Sequence, residues 1–275
     1  MAWHGNLALD YRRHDERTVV HDRHDGPLRI LRSFYPEAGV CHTVLVHPPG
    51  GMVGGDTLRL DAALAEGSHA LVTTPGASRF YRSLGAAAEQ TATARMAPGS
   101  RLEWLPLETL VYSGCNAINR MRFELAPGAE MIGWDVTALG LPASGRPFVD
   151  GAFTQQIELP GHWLERGVVR ASDARLLQSP LGWAGHSVLA TLWFGAGSAI
   201  AAERRDALLD AARASFASHA PMLEAGATAP QSRVVVVRVL ADRVEPAAKL
   251  LTRIWAAWRP VLWSLAACPP RVWRT

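Results

Sequence analysis

The sequence predicts a mainly β fold with β-helix-like or solenoid coiling of the strands and two α-helices in the C-terminal half. Three observations lead to this prediction. Short alternating or apolar runs recur between Gly and Pro turns through the first two-thirds of the chain. A Gly turn followed by a strand repeats about every thirty residues. Two segments with helical periodicity follow in the last third.

The predicted strands are short runs bounded by turn residues. Most of them alternate apolar and polar side chains, and the last is a β-branched run typical of a buried strand. They are Leu28–Phe34, Val40–Val46, Thr57–Leu64, His69–Thr73, Arg101–Leu105, Arg120–Leu125, Glu130–Val136, Phe153–Leu159 and Arg233–Leu240.

A weak internal repeat links three of the predicted turns. In each copy an alanine is followed two residues later by a glycine and then by a strand, and the glycines are Gly67, Gly99 and Gly128. They lie 32 and 29 residues apart. This period, with several strands in each repeat, is typical of a stacked β-solenoid. Three ordinary turns of a β-sandwich would give the same pattern, so the repeat leaves both architectures open.

Two helices are predicted beyond this region. Ala202–His219 carries its apolar residues on one stripe, and Pro221 lies just beyond it. Pro246 can occupy the first turn of a second helix, in which Lys249–Trp258 has apolar residues at helical spacing. Because no low-complexity linker interrupts the chain, residues 1–275 are predicted to form a single domain.

Tryptophans concentrate near the C-terminus. Trp255 and Trp258 lie on the apolar stripe of the second helix and are expected to pack in the core. Trp273 lies beyond the helix, and the sequence leaves open whether it contacts a protein partner.

Composition excludes several function classes. Hydrophobic residues make up 48% of the chain and charged residues 19%, which indicates a globular protein. The net charge is only +3 and the arginines are scattered, so no nucleic-acid partner is expected. Lys249 is the only lysine. Because a Walker-type phosphate loop needs a lysine to contact the phosphates, no such loop is possible elsewhere in the chain.

Three further features favour a cytoplasmic protein without a membrane partner. The three cysteines are widely separated and odd in number, so they predict no disulfide framework. The first ten residues are polar and lack a secretory apolar core. Leu176–Ala202 has no charged residue, but its proline and glycines favour a buried strand around Ser187–Phe194 that leads into a helix, rather than a membrane span.

Two Gly/Pro-rich stretches are the most unusual part of the sequence. His47–Asp56 has four glycines and two prolines but does not match a nucleotide-binding glycine pattern. Its last residue, Asp56, is either a turn residue that bonds its own backbone or a functional carboxylate, and the loop alone favours the turn. In Thr73–Arg82, Ser78 is not followed by glycine, so it is not the nucleophile of a hydrolase elbow.

Charged and metal-binding side chains occur in two further settings. The His-rich segment His14–Asp25 contains nickel or zinc ligand types, but on a strand His21 and His24 point to opposite faces, which favours a solvated edge. Asp135 and Glu165 are isolated acids in apolar runs. Because burying a bare charge is costly, each must be paired, exposed or facing a wet passage.

Several motifs together resemble the UreD family of urease accessory proteins. They occur in the family's order and span nearly the whole chain, and the first two Gly/Pro-rich stretches are the most specific of them. The matching segments are Tyr35–Glu37, Cys41–His42, His47–Asp56, Thr74–Ser83, Leu102–Pro106, Leu139–Gly145, Ile254–Trp255, Arg259–Pro260 and Pro269–Thr275.

The resemblance implies one UreD-like domain over residues 1–275, β-rich with helix-like coiling and two helices. It also implies a non-enzymatic chaperone of urease maturation in the cytoplasm. Such proteins bind apo-urease and UreF, which recruits the nickel-carrying GTPase UreG. Nickel(II) would cross an internal water-filled passage, with no cofactor tightly bound.

A divalent ion in transit needs oxygen or imidazole groups that bind it weakly. We therefore expect the nickel path to be lined by four residues in the matching stretches, Asp56, Ser78, Asp135 and Glu165. The weaker candidates are His47, Cys41 and His42. An alternative from another class is a secreted-type β-solenoid carbohydrate-active enzyme, for which clustered carboxylates and a signal peptide would be expected.

Overall fold

The computed structural model describes residues 2–37, 39–216 and 223–274. These ranges contain seventeen strands, three α-helices and two short 3₁₀ turns. The strands are β1 His4–His14, β2 Arg17–Asp25, β3 Arg29–Ile30, β4 Cys41–Val46, β5 Thr57–Leu64, β6 His69–Thr73, β7 Ser78–Phe80, β8 Ala88–Met96, β9 Arg101–Leu105, β10 Thr109–Val111, β11 Cys115–Leu125, β12 Glu130–Leu139, β13 Gly151–Leu159, β14 Trp163–Arg170, β15 Val188–Ala196, β16 Leu223–Gln231 and β17 Val234–Ala241. The helices are α1 Ala174–Gln178, α2 Ala202–Phe216 and α3 Val244–Trp263, and the 3₁₀ turns are Pro142–Ser144 and Arg271–Arg274.

The strands form two sheets whose parallel central parts are successive coils of a solenoid. The first sheet has the order β14-β13-β11-β8-β5-β1-β2. The second has the order β16-β17-β15-β12-β9-β6-β4-β3, with β7 and β10 alongside the end of β12. Each coil passes from the first sheet to the second, as β5 to β6, β8 to β9 and β11 to β12. The predicted mainly β, solenoid-like coiling is therefore confirmed.

The repeated glycines form the corner at which each coil changes sheets. Gly67, Gly99 and Gly128 have φ values of +66°, +66° and +80°, in the left-handed region that favours glycine. They are stacked, because a Cβ added to Gly99 would lie 3.9 Å from the amide nitrogen of Gly67, and one added to Gly128 would lie 3.7 Å from that of Gly99. The repeat in the sequence is thus a ladder of turns along one edge of the solenoid.

The second sheet separates two hydrophobic cores. Its inner face packs against the first sheet, with buried residues such as Leu60 and Phe123 between them. Its outer face is covered by α2 and α3, where Leu208 and Ile254 are fully buried. Because consecutive side chains of a strand alternate between faces, β12, β15 and β17 contribute to both cores. Their residues therefore form near-continuous apolar runs, which is the expected pattern for strands buried on both faces.

The C-terminal tryptophans belong to the outer core. Trp255 and Trp258 are fully buried, which confirms their predicted position. Trp273 also packs inward: its indole Nε1 donates to Thr73 Oγ1 at 2.8 Å, and its ring centre lies 5.3 Å from that of Trp134. The end of the chain is therefore fixed to the outer face of the second sheet.

A buried polar network joins α3 to the solenoid. Arg259 of α3 and Glu103 of β9 are both fully buried, and Arg259 Nη2 lies 3.2 Å from Glu103 Oε1. Glu103 also accepts from Trp255 Nε1 at 2.5 Å and lies 2.9 Å from His69 Nε2. Arg259 makes a second ion pair with Glu37 at 2.7 Å. Burial alone would raise the pKa of Glu103, but the His69 and Arg259 contacts outweigh it and keep this pKa below its ordinary value.

The structure departs from the predicted elements in several places. Leu28–Phe34 contains only the two-residue strand β3, α1 was not predicted, and α3 extends past Pro260 to Trp263. The predicted end of the first helix at His219 lies outside the described residues. The buried strand predicted around Ser187–Phe194 is present as β15, Val188–Ala196, and leads to α2. None of the helices in the described ranges is both long enough and apolar enough to cross a bilayer.

Glu103→Gln tests the buried network. The substitution removes the negative charge beside Arg259 while nearly preserving the size of the side chain. A buried charge that loses its partner is costly, so we expect the free energy of unfolding at neutral pH to fall by about 3 kcal/mol. Urea unfolding followed by tryptophan fluorescence measures this difference.

The matched control is Glu245→Gln, which breaks the exposed Glu245–Lys249 pair at the start of α3. It should leave the free energy of unfolding nearly unchanged, because fully exposed ion pairs contribute little to stability. Equal effects of the two substitutions would contradict the role assigned to Glu103. Because the pKa of Glu103 is lowered in the folded protein, the wild-type advantage is present above the unfolded pKa of about 4.3 and is lost as pH falls below it.

Candidate functional site

A cavity of about 310 Å³ lies between the two sheets, and the two Gly/Pro-rich stretches form its mouth. The two loops are hydrogen-bonded to each other. Met52 N donates to Arg79 O at 2.8 Å, and Tyr81 N donates to Met52 O at 2.8 Å. Arg79 Nη1 also donates to Gly50 O at 3.2 Å. The motifs that carry the family resemblance therefore surround one opening into the interior of the solenoid.

Glycine is required where these loops approach their neighbours. A Cβ on Gly51 would lie 2.2 Å from the Tyr81 ring, and one on Gly54 would lie 2.5 Å from Ala86 O. Such distances do not occur between real atoms, so a larger residue at either position would displace the loop. The close packing fixes the shape of the mouth.

Asp56 holds one of these loops in place. It is only 2% exposed, and both carboxylate oxygens accept hydrogen bonds from backbone amides: Oδ1 from Trp3 at 2.7 Å and Oδ2 from Val53 at 2.9 Å. This is the turn role that the loop sequence favours. With both oxygens engaged, Asp56 contributes to the site by positioning the loop.

Ser78 and His47 are the members of these two stretches whose side chains could bind a metal ion and that line the cavity. Ser78 is half-buried at the start of β7, and its backbone amide donates to Glu108 O at 2.9 Å. The Nε2 atom of His47 is buried without a hydrogen-bond partner among the described residues. Burial lowers the pKa of His47, although the charge of Asp56 partly opposes the shift, so the imidazole favours its neutral, metal-binding form.

Asp135 lies on the cavity wall, on the inner face of β12. It is 7% exposed, and burial raises its pKa to about 6, despite hydrogen bonds that favour the charged form. Thr137 Oγ1 donates to Asp135 Oδ2 at 3.0 Å. An acid in this environment is largely ionised at neutral pH, at a cost to stability.

Glu165 lies on the edge strand β14, outside the residues that line the cavity. Burial raises its pKa, while the charge of Arg238 and a hydrogen bond from Thr191 partly offset the shift. Arg238 Nη2 lies 2.5 Å from Glu165 Oε2. The charge of Glu165 is also one of the causes that raise the pKa of Asp135, so the two carboxylates share one electrostatic environment.

A row of amide side chains on the first sheet faces these acids. This row was not predicted from the sequence. Gln90, Asn119 and Gln155 are cross-strand neighbours on β8, β11 and β13. Gln90 Nε2 donates to Asn119 Oδ1 at 3.4 Å. The Gln155 amide is close enough to lower the pKa of Asp135, but neither of its atoms makes a hydrogen bond of good geometry with the described residues. In a strand that alternates polar and apolar side chains, a single amide residue is typical of the solvated face. The sequence therefore gives no sign that these three amides point inward.

Two indole N–H groups add to the polar interior. Trp104 Nε1 and Trp193 Nε1 are buried without partners among the described residues, like His47 Nε2 and the Gln155 amide. In folded proteins, such groups pair with ordered water wherever the space is polar and large enough. Trp104 and His47 line the cavity, which is large enough to hold water beside these polar atoms, although most of its lining is apolar.

The remaining candidate ligands lie elsewhere. His21 is paired with Asp10 and His24 with Leu7 on the exposed edge strand β2, so the histidines project from different faces and form a solvated edge. His42 lies 2.9 Å from Glu37 in the network under α3. Across the described ranges, no three His, Cys, Asp or Glu side chains form a cluster that could bind a metal ion.

Comparison with known proteins places this architecture in a family. A family model described as "UreD urease accessory protein" matches residues 4–274. The chain is 61% identical over 274 residues to a protein of Paracidovorax citrulli, covering 99% of each chain. It is 59% identical over 278 residues to one of Leptothrix cholodnii, and 58% over 276 residues to one of Variovorax paradoxus, covering 100% of each chain in both cases.

All three relatives bear the name "Urease accessory protein UreD". A solenoid with interior carboxylates is compatible with either predicted function, the maturation chaperone or the carbohydrate-active enzyme. The family match separates them in favour of urease maturation, because it covers nearly the whole chain and all of its functional motifs. The chain therefore belongs to the UreD family of urease accessory proteins.

Proposed function

We propose that this protein is a non-enzymatic scaffold that binds apo-urease and UreF, and UreG through UreF, in the cytoplasm. In this proposal nickel(II) is the cargo and reaches the buried urease site through the interior of the solenoid. The observation that carries the proposal is a pair of carboxylates that share one electrostatic environment: Asp135, which lines the cavity, and Glu165, which lies on the neighbouring edge strand β14.

The order of the donor groups supports a path rather than a closed site. His47 and Ser78 belong to the stretches at the mouth, Asp135 lies on the cavity wall, and Glu165 lies outside the cavity at the edge of the first sheet. Each position offers one or two oxygen or nitrogen donors. Nickel binds imidazole and carboxylate groups, and only sites with few protein ligands release the ion fast enough for transfer.

The cost of burying Asp135 supports a functional role for this residue. An asparagine would fit the same space and could hydrogen-bond Thr137 without carrying a charge. A carboxylate whose pKa is raised to about 6 instead lowers stability at neutral pH. Residues that reduce stability concentrate at functional sites, where the chemistry needs them.

Asp135→Asn and Glu165→Gln test the path directly. The protein is co-expressed with UreF, UreG and apo-urease at limiting nickel, and the nickel content and ureolytic rate of the purified urease are measured. Because each substitution removes a charged ligand, we expect both readouts to fall several-fold while the accessory complex still assembles.

The matched control is Asp61→Asn. Asp61 lies on β5, whose alternation places it on the outer face of the first sheet, away from the cavity. This variant should activate urease at the wild-type rate. Normal activation by both Asp135→Asn and Glu165→Gln would overturn the proposed path.

Asp135→Asn should lower urease activation but raise the stability of the protein itself. The folded pKa of about 6 lies above the unfolded value near 3.9, so Asp135 lowers stability progressively as pH rises from about 4 to about 6, and the full cost is present above that window. We expect the variant to be more stable than wild type at pH 8, by up to about 3 kcal/mol. The gain should disappear by about pH 4, where the wild-type acid is protonated.

Thermal unfolding of the two proteins between pH 4 and pH 8 measures this difference. Asp61→Asn serves again as the control and should show no such pH-dependent gain. A variant less stable than wild type at pH 8 would contradict the assigned environment of Asp135.

A further inference from the structure

The ion pair between Glu165 and Arg238 connects the two sheets at one edge of the solenoid. Glu165 is on β14, the last strand of the first sheet, and Arg238 is on β17, next to the last strand of the second. The Arg238 side chain is 49% exposed, whereas that of Glu165 is 17% exposed. The arginine therefore lies between solvent and the interior acid.

Arg238 also belongs to the row of residues that contains Asp135. Asp135, Thr191 and Arg238 are direct cross-strand neighbours on β12, β15 and β17. Side chains in one such row project from the same face, which here is the inner face of the second sheet. Neighbouring strands are about 4.8 Å apart, so the backbone of Arg238 lies roughly 10 Å from that of Asp135.

The chemistry of the pair sets it apart from the other groups of the path. A guanidinium does not lose its proton in proteins, so Arg238 is a permanent cation held against one of the two interior carboxylates. A divalent metal ion that binds Glu165 must compete with this cation. Without Arg238, the uncompensated carboxylates of Asp135 and Glu165 would hold the metal more tightly.

We propose that Arg238 is a displaceable counter-ion of Glu165 that sets how briefly the path holds a divalent cation. The guanidinium neutralises Glu165 when no metal is present and moves into solvent when the metal binds. Because the Arg238 side chain is 49% exposed, its guanidinium can be hydrated once the metal replaces it at Glu165, and the returning arginine favours release of the metal. The inference rests on the proposed nickel path and assigns a new residue to it.

The principal test compares Arg238→Gln with Arg166→Gln. Arg166 precedes Gly167 on β14, is exposed, and is paired with Gln156, whose side chain lies on the opposite face from Glu165. Arg166 is next to Glu165 in the sequence, whereas Arg238 contacts it in the fold. Each variant loses one positive charge, but only Arg238→Gln removes the counter-ion of the Glu165 carboxylate. The complex of this protein with UreF, without the nickel-carrying UreG, is loaded with nickel(II), and the rate of nickel loss to a chelator is measured.

We expect Arg238→Gln to lose nickel roughly five- to tenfold more slowly than wild type. Urease activation by this variant should also be slower, because the metal stays longer in the path. Arg166→Gln should match wild type in both measurements, and Arg238→Lys, which retains a cation, should restore most of the wild-type rate. Equal rates of nickel loss from wild type and Arg238→Gln would overturn the proposal.

A double variant separates this role from a purely structural one. If Arg238 acts only through Glu165, then Glu165→Gln/Arg238→Gln should behave like Glu165→Gln alone in nickel loss and activation. If Arg238 only fastens the two sheets, the double variant should be worse than either single variant. That additive result would reject the counter-ion role even where Arg238→Gln itself folds poorly.

The same set of variants distinguishes failure of this inference from failure of the path. Impaired activation by Glu165→Gln, together with wild-type behaviour of Arg238→Gln, would reject only the role of Arg238. Wild-type activation by Asp135→Asn and Glu165→Gln would reject the path and the inference with it.

Discussion

The buried contact between Glu103 and Arg259 is the interaction on which the rest of the architecture depends. It joins two residues 156 positions apart, one in the middle of a solenoid strand and the other near the end of the last helix. Because both charges are fully buried, neither can lose the other without a large penalty. The contact therefore fixes the position of α3 on the second sheet, and with it the packing of the outer core.

The outer core adds to the stability of an inner core that contains polar side chains. Val235, Val237 and Val239 face the helices, while Val236 and Arg238 on the same strand face the first sheet. Burial of apolar surface under α2 and α3 adds to the burial between the two sheets. This second layer offsets part of the cost of the amides, hydroxyls and carboxylates that lie among the apolar residues of the inner core.

The sequence predicts the central coils well, because their signals are local. Thr57–Leu64, His69–Thr73 and Arg101–Leu105 have the same bounds in the structure, since alternation and the following glycine turns mark both ends. The strand β8 was missed because its inward positions hold alanines and Gln90, which give no apolar alternation. The Glu103–Arg259 contact could not be found either, since nothing local to either residue indicates a partner on the other side of the fold.

The candidate site shows the same division between local and distant information. Asp135 and Glu165 stand out in the sequence because a charge in an apolar run needs a partner or water. Arg238 is likewise an isolated charge in an apolar run, but the run is predicted only as a buried strand and nothing local to Arg238 indicates its partner. Its importance arises only from strand register, which brings it into the row of Asp135 and opposite Glu165. A path for a cation needs negative charge to attract the ion and positive charge to release it. In this chain only the negative groups of the proposed path were predicted from the sequence.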